Sequence, residues 1–300
     1  MAMSTNSDRE AKARQLMAEA DKKLTSFNGL FGNLLGKPSN AVEEAIDLYI
    51  KAGNQFKMCQ KWDLGAKVFT TAARLQSRTG ERHESATSYV LAANCFRKYE
   101  PYEAIGCLTK VIEIYEELGR LAICAKHHTT VAEIYETHLH DTDTAVKHYQ
   151  SAADCYRAEH SLASANKCLL FVANSAALSG QYQRAIDTYE EVAKHCIESS
   201  LLKYSAHNHF MRAALCHICI DLLNGELAIK RYEDLFPAFS DSREYKLVNT
   251  LIGKLDDNDI IGYTAAIKAY DSISRMDPWF VSILLTIKNK YNTDSDPDMK

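Results

Sequence analysis

The chain has 300 residues, and its 46% share of hydrophobic residues is large enough to build a core and to exclude wholesale disorder. A formal net charge of −4 and an isoelectric point near 6.3 argue against a general nucleic-acid-binding protein, which would normally be basic. No apolar run reaches the roughly 18 residues that a membrane-spanning helix needs.

The first predicted elements are an amphipathic helix over residues 8–25 and a glycine-bounded apolar loop over residues 27–37. The large apolar residues of this loop are Phe27, Leu30, Phe31, Leu34 and Leu35. Two interpretations stay open from the residues alone. The loop either packs onto the first repeats as a hydrophobic plug or dips into a membrane surface, because exposed aromatic residues are costly unless something covers them.

From about residue 40 to about residue 237, small residues recur at steps of 18–22 positions. The repeated alanines are Ala45, Ala66, Ala86, Ala104, Ala125, Ala145, Ala165, Ala185, Ala206 and Ala228. Most are followed three or four residues later by a bulky side chain, which lies on the same face of a helix. Two such helices make a hairpin of about 40 residues, the length of helical solenoid repeats. The connectors are predicted at SRTGERHE, KYEPYEA, HLHDTDT, LSGQYQ and LLNGEL.

After LFPAFSDSRE the rhythm stops, and residues 241–291 predict two or three further helices that form a bundle. Asp271 and Ser272 are candidate helix caps, and Pro278 fits the first turn of the last helix. The sequence therefore predicts an all-α protein in three parts. Residues 1–240 form a twisted array of TPR-like helical hairpins (an α-solenoid), residues 241–291 a C-terminal helical bundle, and residues 292–300 a flexible acidic tail.

Cysteine usage and the first residues indicate the compartment. Nine cysteines, an odd number without framework spacing, lie mostly in helical patterns, as is typical of reduced thiols in the cytosol. The opening stretch MAMSTNSDREAKARQ lacks the apolar core of a secretory signal. We therefore expect a cytoplasmic protein.

Two motifs resemble a nucleotide-binding and a metal-binding site but lack residues that such sites need. GNLLGK at residues 32–37 has too few residues between its glycines for a phosphate-binding loop, and Pro38 stands where Ser or Thr would bind magnesium. CHIC at residues 216–219, near His207 and His209, lacks the second cysteine pair of a structural zinc site, so we expect core packing there. The sequence predicts no cofactor, no metal and no enzymatic activity.

Charged residues point to a binding protein. Basic residues near repeat turns are Arg97, Lys98, Arg120, Lys126 and Lys167, and acidic ones toward the C-terminal end are Asp221, Asp256, Asp257 and Asp259. Scattered lysines usually form a solvated face, but a basic middle and an acidic end suit a bridge between an acidic partner and a basic one. Residues alone therefore indicate an adaptor with a membrane-contacting loop. A TPR-type scaffold of another pathway is the alternative.

Several uninterrupted stretches resemble the soluble NSF attachment protein family, in its alpha/beta branch. They are AKHHTTVAEIYET (125–137), SANKCLL (164–170), LLKYSA (201–206), AALCHICIDLLN (213–224), LFPAFSDSRE (235–244) and YDSISRMD (270–277). The resemblance covers essentially the whole chain. It implies a non-enzymatic adaptor that binds assembled SNARE complexes of the syntaxin/SNAP-25/synaptobrevin type and recruits the hexameric ATPase NSF. That ATPase separates the SNAREs after membrane fusion, in vesicle-mediated and ER–Golgi transport.

The resemblance also implies roles for particular residues. SNARE contacts are implied at Lys126 and Lys167, with Arg97, Lys98 and Arg120 nearby on the same surface. Contacts to the ATPase are implied at Asp221, Asp256 and Asp257, whereas Gly253 stands where the family has an acidic residue and Asp259 lies close by. Met299 stands where the family uses a penultimate leucine to stimulate the ATPase.

The implied membrane contact lies in the N-terminal loop. The family's membrane-active residues match Phe27, Leu30 and Phe31, while Asn28 replaces a second aromatic residue and Leu34 and Leu35 are expected to compensate. The resemblance thus implies a cytoplasmic protein that associates peripherally with membranes and binds no nucleic acid.

Overall fold

A computed structural model describes residues 5–28 and 40–293 of the chain. Within those ranges the protein contains fourteen α-helices and no β-strand, which confirms the all-α prediction. The first seven helices are α1 (Asn6–Asn28), α2 (Asn40–Met58), α3 (Trp62–Thr79), α4 (Arg82–Phe96), α5 (Pro101–Glu117), α6 (Leu121–Ile134) and α7 (Thr142–Ala158). The last seven are α8 (Leu162–Leu178), α9 (Tyr182–Glu198), α10 (Ala206–Ile220), α11 (Leu222–Leu235), α12 (Arg243–Asp256), α13 (Ile260–Ile273) and α14 (Pro278–Thr293). None of these helices has the length and apolarity needed to cross a membrane.

The chain divides into two compact units, one ending at Glu159 and the other beginning at His160. In the first unit each helix from α1 to α7 packs against the next, as expected for consecutive hairpins. Small residues allow this close approach: a Cβ at Gly53 would lie 2.7 Å from the Phe69 ring. Gly80 ends α3 with φ +86°, the left-handed conformation that glycine adopts without steric cost.

All ten repeat alanines are buried, with exposed fractions of 0–1%. The bulky residues that follow them complete the core, for example Phe69 and Leu108 in the first unit and Tyr189 and Phe210 in the second. The period read from the sequence therefore identifies the core face of each helix, because positions i, i+4 and i+7 face the same neighbour.

In the second unit α10 is the central helix. It packs against α9, α11, α12 and α14, and every residue from Phe210 to Cys216 is buried. A helix that is apolar on nearly all sides is stable only when it is enclosed in this way. The boundary expected near residue 240 falls between α11 and α12, within this compact unit.

Polar contacts hold α14 against α8 and α10. The Trp279 indole N–H donates to the carbonyl oxygen of Asn174 in α8 at 3.3 Å. At the other end, the Lys290 ammonium donates to the carbonyls of Cys219 (3.2 Å) and Ile220 (2.7 Å), and the Tyr291 hydroxyl to that of Ile218 (3.2 Å). These donors satisfy carbonyls of the last turn of α10, which have no partner within their own helix.

Some local predictions are wrong. The segment LLNGEL is not a connector but the first two turns of α11, which Asp221 caps by accepting from the backbone N–H groups of Leu223 and Asn224. Its glycine serves packing: a Cβ at Gly225 would lie 2.5 Å from the Ile218 side chain.

The C-terminal helices show a second correction. Asp271 and Ser272 do not begin a helix, because α13 continues to Ile273. The carboxylate of Asp277 caps α14 instead, accepting from the Phe280 N–H at 3.0 Å, and Pro278 is the first residue of α14 as predicted.

The apolar loop falls largely outside the described residues. Helix α1 runs three residues further than predicted, so the backbone of Phe27 belongs to its last turn. Leu30, Phe31, Leu34 and Leu35, the motif GNLLGK and the tail with Met299 all lie outside the described residues.

Candidate partner-binding surfaces

Four of the predicted basic residues belong to the first unit. Arg97 and Lys98 lie in the turn between α4 and α5, and Arg120 lies in the turn between α5 and α6. Helix α5 has 17 residues and is therefore about 25 Å long, so these two turns mark its opposite ends. The basic residues of this unit thus span the width of the helical array.

Lys126 lies on the solvent side of α6. Its neighbours Ala125 and His127 are buried, whereas the Lys126 side chain is exposed. The His127 ring stacks on Tyr115, and burial followed by the nearby Lys126 charge lowers the pKa of His127 to about 4. The His127 imidazole is therefore neutral at pH 7, and of these two neighbouring residues only Lys126 carries a positive charge.

The adjacent histidine faces another neighbour. The Nδ1 atom of His128 lies 3.0 Å from Nδ1 of His148 in α7, and burial lowers the pKa of both imidazoles. His127 and His128 therefore contact different partners, as expected for consecutive residues on a helix.

Lys167 has the equivalent setting in the second unit. It is exposed on α8 between the buried residues Asn166 and Cys168. Like Lys126, it stands on a helix whose other faces pack in the core.

None of the five predicted basic side chains forms an ion pair with a described residue. Other basic residues nearby do form ion pairs: Arg82 of α4 with Glu117 of α5, and Lys110 with Glu113 within α5. A cation without an internal partner can bind an acidic surface without first breaking an ion pair.

Among the described residues the predicted acidic positions belong to the second unit; Asp221, Asp256 and Asp257 are exposed, and Asp259 is half-buried. Asp221 caps α11, while Asp256 and Asp257 end α12. Negative charge at a helix C-terminus is unfavourable because the helix dipole is negative there. The two carboxylates at the end of α12 therefore interact unfavourably with its dipole.

Asp259 has a structural role. Its carboxylate accepts from the Lys254 ammonium at 2.9 Å and from the Gly262 N–H at 2.7 Å, and these contacts lower its pKa. It caps α13, so its carboxylate is less available for an external contact than those of Asp256 and Asp257. Gly253 itself is open to solvent, with nothing within 4 Å of its Cβ position.

An exposed apolar segment precedes α10, and the sequence analysis predicts no site there. Leu201 is 89% exposed and Tyr204 is 69% exposed, and the Lys203 ammonium lies 5.2 Å from the Tyr204 ring centroid. Large apolar side chains that remain exposed together mark interaction surfaces. The only signal in the sequence was the pair Leu201–Leu202 in a connector, where polar residues prevail.

The CHIC segment is buried within α10. Burial raises the pKa of Cys216 well above its usual range and that of Cys219 to about 12, so neither thiol ionises readily. Among the described residues no group of three or more His, Cys, Asp or Glu side chains is placed to hold a metal ion.

Helical hairpins that present unpaired cations and solvent-exposed carboxylates define a helical-repeat binding protein. The family model described as "Soluble NSF attachment protein, SNAP" matches residues 11–292. The chain belongs to this family.

The similarity to related proteins covers nearly the whole chain. The human "Alpha-soluble NSF attachment protein" is 48% identical over 291 residues, which cover 97% of this chain and 98% of that protein. The Bos taurus "Beta-soluble NSF attachment protein" is 45% identical over 98% of each chain. The Neurospora crassa "Probable vesicular-fusion protein sec17 homolog" is 33% identical over 93% of this chain and 96% of that protein.

Proposed function

We propose that this protein is an adaptor, without enzymatic activity of its own, that binds assembled SNARE complexes and recruits and stimulates the NSF ATPase to disassemble them after membrane fusion. Membership of the family and the names of its relatives support this role. The structural observation that carries it is the set of five basic side chains, four of them exposed and Arg97 half-buried, none of which has an ion-pair partner among the described residues.

Each compact unit contributes basic residues to SNARE binding: Lys126, with Arg97, Lys98 and Arg120, from the first unit, and Lys167 from the second. Exposed ion pairs are individually worth about 0.2–1 kcal/mol, so several must act together. Their sum also steers an acidic helical bundle toward the array and raises the association rate. The exposed Leu201 and Tyr204 suit an apolar contact that strengthens the complex once it has formed.

A different set of residues contacts the ATPase. Asp221, Asp256 and Asp257 supply exposed carboxylates to a basic surface of NSF, and Met299 provides the apolar side chain that stimulates ATP turnover. Steering by complementary charge again accounts for the sign of these residues.

Membrane attachment is peripheral and cytoplasmic, through the N-terminal apolar loop. Phe27, Leu30, Phe31, Leu34 and Leu35 insert weakly and reversibly. Weak membrane binding of this kind contributes more to the total affinity when the same molecule is already bound to a membrane-anchored SNARE complex, because the second contact is then intramolecular.

The test is disassembly of a fluorescently labelled SNARE complex by NSF and ATP, with the wild-type protein or with the Lys126→Glu/Lys167→Glu variant. Each charge reversal removes an attraction and adds a repulsion on the order of 1 kcal/mol, so we expect SNARE affinity to fall at least tenfold. Disassembly should fall in parallel at limiting adaptor concentration.

The matched control is Lys67→Glu/Lys194→Glu, which changes the same total charge. Both lysines are exposed, and they lie on the odd-numbered helices α3 and α9, whereas Lys126 and Lys167 lie on α6 and α8. Equal loss in both variants would mean that only net charge matters and would contradict the assigned surface. No disassembly with the wild-type protein would contradict the proposed function itself.

A further inference from the structure

A surface groove of about 300 Å³ lies between the first half of α12 and the second half of α13. Its walls are mostly apolar, formed by Leu247, Ala266, Ala269 and Ile273. Ile273 is 71% exposed, so a large apolar side chain faces solvent at this site. The volume is at the lower end of the range found for small-molecule sites.

Two cations stand at the rim of this groove. Arg243 and Lys246 lie three residues apart on α12, which places them on the same side of the helix, and both are exposed. Neither forms an ion pair with a described residue. Both also lie at the N-terminal end of α12, where the helix dipole disfavours positive charge and favours an anion.

The adjacent Glu244 forms no ion pair with either cation. Glu244 accepts a hydrogen bond from the Tyr270 hydroxyl at 3.2 Å and does not line the groove. The groove therefore combines apolar walls with an uncompensated positive rim. A ligand that complements both has an anionic head and a short aliphatic chain.

We propose that this groove binds a single-chain aliphatic carboxylate, with the carboxylate at Arg243 and Lys246 and the chain against Leu247, Ala266, Ala269 and Ile273. The planar guanidinium matches a carboxylate with two parallel hydrogen bonds, and the lysine adds a second charge. Each methylene that leaves water for the apolar walls increases affinity about fourfold until the groove is full.

The experiment titrates the folded full-length protein with hexanoate, octanoate and decanoate below their micelle concentrations, using calorimetry and the methyl NMR signals of Ile273 and Ala269. We expect saturable binding to one site, an affinity that rises with chain length and then levels off, and binding of 1-decanol at least tenfold weaker than that of decanoate. This comparison of ligands uses only the wild-type protein, so it does not depend on how any variant folds.

Two variants test the head and the chain separately. Arg243→Gln/Lys246→Gln should weaken decanoate at least tenfold, whereas Lys268→Gln, an exposed lysine of α13 that does not line the groove, should leave it unchanged. Ala269→Phe should block binding by filling the groove while both cations remain.

The proposal is overturned if none of the three carboxylates binds saturably, or if decanol binds as tightly as decanoate. It is also overturned if decanoate affinity survives both the double variant and Ala269→Phe in correctly folded protein. Binding to phosphatidylserine vesicles without binding of the monomeric carboxylates would identify a membrane contact in place of a ligand site, and would equally overturn it.

Discussion

Replacing Arg212 with methionine is expected to weaken the attachment of α14 to the compact unit that begins at His160. The guanidinium of this α10 residue donates to the Asp277 carboxylate at 2.5 Å and lies 4.5 Å and 4.4 Å from the ring centroids of Trp279 and Phe280. The Arg212 side chain is only 10% exposed, so water has little access to replace these contacts. Arg212 therefore contributes several of the contacts at the start of α14, beside the hydrogen bond from the Trp279 indole to Asn174.

The size of the effect follows from these contacts. A hydrogen bond to a charged group contributes about 1.5–3 kcal/mol, and a desolvated cation–π contact up to about 2 kcal/mol. Asp277 is 46% exposed and regains solvent when its partner is removed, and methionine restores part of the packing on both rings, so the sum is not lost in full. We expect a loss of about 3 kcal/mol, which raises the population of the detached state about a hundredfold.

Hydrogen exchange of the α14 amides measures this population directly. Arg212→Lys should accelerate the exchange of the α14 amides to an intermediate degree, because lysine keeps the positive charge but lacks the planar guanidinium that contacts Asp277 and both rings. Arg231→Met is the matched control: its ion pair with Glu190 is 57% exposed on the arginine side, so little effect on α14 is expected. Unchanged α14 exchange in Arg212→Met would refute the reasoning. Uniform acceleration through α8–α11 would also refute it, since the unit would then open as a whole.

Three further predictions concern stability and ATPase stimulation. Gly253→Ala should stabilise the protein in thermal denaturation by about 0.5–1 kcal/mol, because this exposed helical position has room for a Cβ, whereas Gly53→Ala should destabilise it through overlap with Phe69. Burial raises the pKa of Glu190, but hydrogen bonds from His217 and Tyr232 outweigh it and lower the pKa from 4.5 to about 2. The corresponding stability, on the order of 3 kcal/mol, is present above pH 4.5 and lost as the pH falls toward 2, so acid unfolding should be steeper in the wild type than in Glu190→Gln. Met299→Ala should leave SNARE binding intact and lower stimulated ATP turnover; unchanged turnover would remove the tail from the proposed mechanism.

Much of the fold is predictable from the sequence because its signal is local and repeated. Spacings of about 20 residues between small side chains, with a large residue one helical turn later, define the buried stripe of each helix before any neighbour is known. Ala45 and Ala228, at the two ends of this series, are both buried as the period requires. The resemblance to a known family adds the predicted partner-binding residues, which no periodicity reveals.

The failures occur where a neighbouring helix decides the outcome. Gly225 looks like a turn residue because glycine favours turns, but it lies inside α11, where the Ile218 side chain leaves no space for a Cβ. Asp277 caps α14 in place of the expected Asp271 because the chain continues as helix to Ile273. Such choices depend on packing that a short sequence window does not contain.

The sequence by itself determined the helical class, the core face of each repeat and the signs of charge along the chain, because these follow from residue type and spacing alone. Only the tertiary structure decided which charges are free. It pairs Lys254 with Asp259 and leaves Lys126 and Lys167 without an ion-pair partner among the described residues, and it sets Arg243 beside an apolar groove. The physical reason is that pairing, burial and cavity shape depend on residues from different helices, whose distances are fixed only when those helices pack.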